Sequence, residues 1–170
     1  MKVIIGGNKK PLYDGELWMF NNTYSMFNGQ IDKLFIMHKQ VIAKYKPVFD
    51  WDKINAFSDQ YGFDIILLHD IPETNKYTKY PYDKIVDAFK TDFFCSTIDY
   101  MIAYALYKKY DEIEICFDYF LGDVDYTDSL WEKCGANYWI GRAEGMGVRV
   151  DTSDSNVFTT RSGEPYAING

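Results

Sequence analysis

Short apolar runs, each closed by polar residues, set the first limit on what this chain can fold into. Val3-Ile4-Ile5 runs into Gly6-Gly7-Asn8, and Leu17-Trp18-Met19-Phe20 into Asn21-Asn22. Leu34-Phe35-Ile36-Met37 ends at His38, and Ile65-Ile66-Leu67-Leu68 ends at His69-Asp70. Ile113-Glu114-Ile115-Cys116-Phe117 closes on Asp118, and Val148-Arg149-Val150 reads as a last strand. Runs this short, with little polar alternation, fit strands buried on both faces, as in a parallel sheet.

Helical patterns lie between them. Asp52 to Tyr61 carries Ile54, Phe57 and Tyr61 on one face, with Gly62 as its stop. Pro72 to Pro81 is polar and reads as a loop, and Tyr82 to Phe89 resumes helical spacing. Ser96-Thr97-Ile98-Asp99 has a hydroxyl cap followed three residues later by a carboxylate, which predicts a helix start. Ile98 to Tyr107 is then apolar almost all round, so that helix is predicted to be central and buried. Ser129 to Gly145 predicts another helix, weakened by Gly135 and Gly141. Strands alternating with helices predict a Rossmann-like α/β fold, three layers deep, with a mainly parallel sheet of five or six strands. Residues 1–151 form that domain, and 152–170 form a tail packed on it or extending it, with a short edge segment at Tyr166-Ala167-Ile168.

Composition narrows the function. A chain of 170 residues suits one domain. Its net charge of -7 argues against a broad grip on nucleic-acid backbone. No apolar run reaches the roughly 18 residues that a membrane span needs, and the N-terminus lacks the pattern of a signal peptide. Cys95, Cys116 and Cys134, odd in number and widely spaced, make neither a disulfide framework nor a zinc site. The cytoplasm is the default compartment.

In such folds ligands sit at the carboxyl ends of the strands, where strand order reverses. The residues expected there carry alternatives. Gly6, Gly7 and Asn8 make either a tight turn or a close backbone approach to a ligand; they are not the dinucleotide fingerprint. Asn22 is either a turn residue or a partner for a base edge or ribose. Ser96 and Thr97 either cap their helix or, with its first amides, hold an anion. His38 and His69 are general-base or phosphate candidates, or ordinary loop residues. Asp118, Asp123 and Asp125 lack the glycine and closing glutamate of a calcium loop, so they read as a solvated acidic loop and no metal is expected. Arg142 offers a bidentate phosphate contact or a surface ion pair.

Several of these segments recur together in one superfamily. KVIIGGN at residues 2–8, Phe20-Asn21-Asn22, and CSTIDYMIAYALYKKYDEIEI at residues 95–115 occur in that order. They resemble the bacterial sialyltransferases of the Campylobacter lipooligosaccharide type. They also resemble the related domain of motility accessory factors and archaeal 6-hydroxymethylpterin diphosphokinases. Tyr80-Pro81, Ser96-Thr97 with Tyr100-Met101, and Tyr138-Trp139-Ile140-Gly141-Arg142-Ala143 are similar to segments of small phage-encoded members. The resemblance covers most of residues 2–151. It implies that Gly7, Asn8, Asn22, Ser96 and Thr97 contact the nucleotide part of a donor. Two departures stand out. Phe117 precedes Asp118 where members often keep glycine, and no histidine follows His69. Tyr138 sits near the place of the late general base, and an unperturbed tyrosine, with a pKa of about 10, is a poor base at neutral pH.

The sequence therefore predicts a binder of a nucleotide or nucleotide-linked sugar, with Gly7, Asn8, Asn22, Ser96, Thr97 and Arg142 as contacts. His38 and Asp118 are its catalytic candidates. Three readings stay open: a phage-encoded transferase moving a glycosyl or phosphoryl group, a non-catalytic protein that sequesters a nucleotide signal of host defence, and a virion or assembly component. The partner expected is a small nucleotide ligand in the host cytoplasm, with no cofactor fixed and a homo-oligomer open.

Overall fold

The computed structural model describes residues 1–7, 14–26, 31–38, 49–74, 76–118 and 126–158. Among them, seven strands form one all-parallel sheet: β1 (Lys2–Gly6), β2 (Glu16–Phe20), β3 (Lys33–Ile36), β4 (Asp64–Leu67), β5 (Thr78–Lys79), β6 (Glu112–Cys116) and β7 (Arg149–Asp151). Their order is β5-β4-β3-β2-β1-β6-β7. The chain builds outward from β1 to β5, then returns to lay β6 on the other side of β1. Strand order thus reverses between β1 and β6, which is where a sheet of this kind opens a crevice for ligands.

The apolar runs are buried on both faces because each strand divides its side chains between two cores. Val3, Ile5, Trp18, Phe35, Ile66, Ile113 and Ile115 enter one, beneath α2 (Tyr82–Phe89), α3 (Thr97–Tyr107) and α4 (Tyr126–Gly145). Met19, Leu34, Ile36, Ile65 and Leu67 enter the other, under α1 (Trp51–Tyr61). This is the expected Rossmann-like α/β fold. No helix among the described residues is long and apolar enough to cross a membrane.

The strand count exceeds the expected five or six. The extra strand, β5, lies inside the segment read as a loop. Thr78 and Lys79 are both exposed and pair with Ile66 and Leu67 at the sheet edge. Two exposed polar residues leave no apolar signature, and Pro72 and Pro81 flank the strand without entering it. The remaining elements follow their signals. Gly62 closes α1 in the left-handed conformation (φ 77°), and its N–H reaches the Ser58 carbonyl at 2.8 Å. α3 starts after Ser96 and buries every residue from Thr97 to Leu106 except Tyr100. Ile98, Met101, Ile102 and Ala105 meet Trp139, Ile140 and Ala143 of α4 in the same core. Val157 joins that core as well. The expected edge segment at Tyr166-Ala167-Ile168 lies outside the described residues, as do Asn8, Asp123 and Asp125.

Candidate functional site

A cleft of about 210 Å³ opens at the reversal point, over the carboxyl ends of β2, β3 and β6. Phe20 and Asn21 end β2, His38 follows β3, and Phe117 and Asp118 follow β6. The start of α3 supplies Ser96 and Thr97, and Glu132 of α4 completes the rim. Four sequence-predicted residues therefore meet in one place: His38, Ser96, Thr97 and Asp118.

The start of α3 has two unlike sides. On its inner side Asp99 is fully buried and folds back on the helix start. Its carboxylate accepts from the Cys95 N–H at 2.6 Å, the Ser96 N–H at 3.0 Å and the Ser96 hydroxyl at 2.9 Å. This is the predicted capping box, and it commits Ser96 to the helix. Burial pushes the Asp99 carboxyl up to about 6, and those hydrogen bonds oppose the shift. Room for the carboxylate comes from α4. A Cβ on Gly135 would stand 2.0 Å from Asp99 Oδ2 and 2.9 Å from the Cys95 Cβ. The glycine that weakens the helix pattern is the one that the capping box requires.

On its outer side the turn is unsatisfied. Thr97 is 5% exposed, and its Oγ1 has no hydrogen-bond partner among the described residues. Asn21 Oδ1, across the cleft, is likewise buried without one. A buried hydroxyl or amide oxygen left unpaired costs about 1–3 kcal/mol, so two on residues that line one cleft need explaining. Asn21 holds a left-handed backbone (φ 50°), anchored by its N–H on the Phe35 carbonyl at 2.9 Å. That turn aims Asn21 at the cleft and leaves Asn22, half-buried, outside its lining. Sequence reading favoured Asn22; the signal that separates the two is a backbone conformation that asparagine tolerates well.

Gly7 lies behind the cleft. A Cβ there would meet the Phe117 Cβ at 2.6 Å and the Phe20 ring at 3.4 Å. Phe117, the departure from the resembled pattern, thus fills the space beside Gly7 and stacks edge-on against Phe20, with centroids 5.6 Å apart. Asp118 is held from the far end of the domain, its Oδ1 accepting the Asn156 N–H at 2.9 Å. Beside it Lys133, 6% exposed, donates to the Asn156 carbonyl at 2.7 Å. Burial lowers the Lys133 pKa and Asp118 partly restores it. Sequence reading missed Lys133, because a lysine on a helix resembles one on a solvated face. His38 is exposed at the mouth of the cleft, and partial desolvation of its ring holds its pKa below the ordinary histidine value.

Arg142 and Tyr138 lie outside this cleft. The Arg142 guanidinium donates to the Phe89 carbonyl at 2.7 Å and the Tyr138 hydroxyl at 2.8 Å. It also lies over the rings of Phe89, Tyr138 and Trp139. On the sheet face opposite α3, Glu114, Cys116 and Asp154 bring potential metal-ligating atoms within 4.8 Å of one another. Lys2 Nζ already sits 2.6 Å from Glu114 Oε2 and answers its charge.

No protein-family model, curated protein or solved structure matches the chain.

Proposed function

We propose that the protein binds a nucleotide or nucleotide-linked sugar in the cleft over the carboxyl ends of β2, β3 and β6, as a transferase acting on that donor. The observation that carries this reading is a pair of buried, unpartnered atoms, Thr97 Oγ1 and Asn21 Oδ1, on two residues that line one cleft at the switch point. Their chemistry divides the ligand. Asn21 Oδ1, Asp118 and Glu132 accept hydrogen bonds, which suits ribose hydroxyls and base amino groups. Thr97, at the positive end of α3, suits a phosphate oxygen. The cleft is smaller than the roughly 300 Å³ at which pockets for whole ligands begin. It therefore takes the nucleoside sugar and its first phosphate, with the rest of the ligand extending outward.

His38 supports the catalytic form of this reading. Its imidazole stands on the cleft with a pKa held below the ordinary histidine value, which favours the form able to accept a proton from an attacking hydroxyl. A non-catalytic binder is favoured by one observation: Tyr138, near the place of the late base in the resembled family, lies away from the cleft. Two measurements test these readings. Calorimetric titration with CMP, UMP, AMP and GMP is expected to give binding by at least one of them. Absence of binding by all four at millimolar concentration would remove the nucleotide reading. Release of labelled sugar from a panel of nucleotide sugars, abolished by His38→Ala, would support the transferase. Binding without turnover would leave the sequestering function.

A further inference from the structure

The run Ile113-Glu114-Ile115-Cys116-Phe117 holds a charge where a strand buried on both faces has no ordinary use for one. Register shows its company. Parallel pairing sets Lys2 beside Glu112, Gly6 beside Cys116, and Asp151 beside Glu114. Residues paired in register point to one face of a sheet. Lys2, Glu112, Glu114, Cys116, Arg149 and Asp151 therefore share the face opposite α3. On it Glu114 is 2% exposed and Cys116 1%.

A buried carboxylate is costly unless both its oxygens are answered. Lys2 Nζ lies 2.6 Å from Glu114 Oε2 and 3.4 Å from Glu112 Oε1. Glu114 Oε1 has no hydrogen-bond partner among the described residues. One ammonium thus answers one side of the group. The local charge points the same way. Glu112, Glu114, Asp151 and Asp154 are four carboxylates at this corner, and Lys2 and Arg149 are the two cations among the described residues that meet them. The balance stays negative and favours a further cation.

The donors converge. A carboxylate oxygen of Glu114, the Cys116 sulfur and a carboxylate oxygen of Asp154 lie within 4.8 Å of one another. An ion centred among them stands no more than about 2.8 Å from each, and bonds of roughly 2.0–2.3 Å to zinc need a closure of about half an ångström. Asp154, half-buried on the turn after β7, is the most exposed of the three and gives an ion its way in. A thiolate beside two carboxylates selects zinc over magnesium or calcium, which prefer oxygen alone.

We propose that Glu114, Cys116 and Asp154 bind a zinc ion, Cys116 giving its thiol proton to solvent as the ion enters. Lys2 then yields Glu114 and keeps Glu112. Cysteine spacing in the sequence could not announce such a site, because its other two ligands are carboxylates brought together by the sheet. The site also has a structural consequence. Asp154 stands two residues before Asn156, whose N–H holds Asp118 at 2.9 Å and whose carbonyl holds Lys133 at 2.7 Å. Cys116 stands two residues before Asp118 itself. Zinc ties both ends of the arrangement that fixes Asp118 on the cleft. The importance of that tie for a ligand rests on the nucleotide reading; the metal binding itself does not.

The test loads the whole chain, first stripped of metal by a chelator, with cobalt(II) or zinc. Cobalt is expected to give a thiolate-to-metal charge-transfer band in the near ultraviolet, erased by zinc and untouched by millimolar magnesium. Cys116→Ser should abolish the band, and Asp154→Ala should weaken cobalt binding roughly a hundredfold. Cys95→Ser and Cys134→Ser should leave it as it is. Lys2→Gln removes the competing ammonium and should tighten binding several-fold. Zinc at a hundredfold excess over its Kd should raise the melting temperature by about 5–10 °C. Asp154 is half-buried on a turn, so its variant decides the matter even where a change in the strand disturbs folding. Absence of the band, its survival in Cys116→Ser, its loss in Cys95→Ser or Cys134→Ser, or wild-type cobalt affinity in Asp154→Ala would overturn the proposal. So would weaker binding by Lys2→Gln. Zinc binding at this site without binding of CMP, UMP, AMP or GMP would uphold it and remove the nucleotide reading alone.

Discussion

The two sides of the first turn of α3 are built from adjacent residues and reach opposite ends. On the inner side Asp99 satisfies Cys95 and Ser96, and Gly135 of α4 is cut back to admit it. On the outer side Thr97 Oγ1 and Asn21 Oδ1 are buried with no partner among the described residues. The inner side costs α4 a glycine so that the helix start is closed. The outer side gives up hydrogen bonds worth about 1–3 kcal/mol each. Saturation marks the side built for the fold; the open valences are what the proposed ligand would fill.

The largest expected effect breaks the inner side. Gly135→Ala drives a Cβ into the Asp99 carboxylate and Cys95. Overpacking of this kind costs up to about 3 kcal/mol, and the better helix propensity of alanine returns about 1. A net loss of about 2 kcal/mol is expected in denaturant melts. A neutral result would mean that the carboxylate is not held where the geometry has it.

The second effect is a pH dependence with a defined sign. The folded Asp99 carboxyl is raised to about 6 from its ordinary 3.8. Between those values the folded state holds a proton that the unfolded chain has released, so this group's contribution to stability falls as pH rises from 4 to 6. The contribution is on the order of 2–3 kcal/mol. Asp70, Asp87 and Glu112 are lowered by lysine and arginine partners and act in the opposite direction, so the contribution must be read as a difference. Asp99→Asn keeps an acceptor for the two amides and a donor for the Ser96 oxygen. Its stability relative to wild type should therefore increase from pH 4 to pH 6. Parallel pH profiles would count against the buried carboxylate.

Two smaller effects sharpen the contrast along α4. Arg142→Lys loses the planar stack on Phe89, Tyr138 and Trp139, and about 1 kcal/mol of stability is expected to go with it, with nucleotide affinity unchanged. A fall in affinity without a fall in stability would return Arg142 to the binding site. Gly141→Ala meets nothing within 4 Å and should raise stability by about 0.5–1 kcal/mol in the same melts. The two glycines of one helix should thus respond with opposite signs.

What could be read in the sequence follows the same division. The apolar runs dictated the parallel sheet because burial on both faces leaves no other use for them. Ser96 and Asp99 announced the cap because its spacing is local. β5 escaped because two exposed residues carry no pattern, and the use of Gly135 escaped because its reason lies on another helix. At the cleft, His38, Ser96, Thr97 and Asp118 were legible as polar residues closing strands or opening a helix. Asn21 and Lys133 were not. Asn21 is selected over Asn22 by a left-handed turn, and Lys133 by burial against Asn156. Arg142 lies outside that cleft, over aromatic rings that composition does not reveal.

The claim that the outer side serves a ligand is tested most directly by comparing Thr97→Val with Ser96→Ala. Valine keeps the shape of Thr97 and removes only the unpartnered hydroxyl. Thr97→Val is expected to leave the melting temperature unchanged or slightly raised, and to weaken the best-bound nucleotide by about tenfold, the worth of one good hydrogen bond to phosphate. Ser96→Ala should do the reverse, losing about 1 kcal/mol of stability with its cap and leaving affinity unchanged. If Thr97→Val binds the nucleotide as wild type does, or if Ser96→Ala loses affinity and Thr97→Val does not, the account is contradicted.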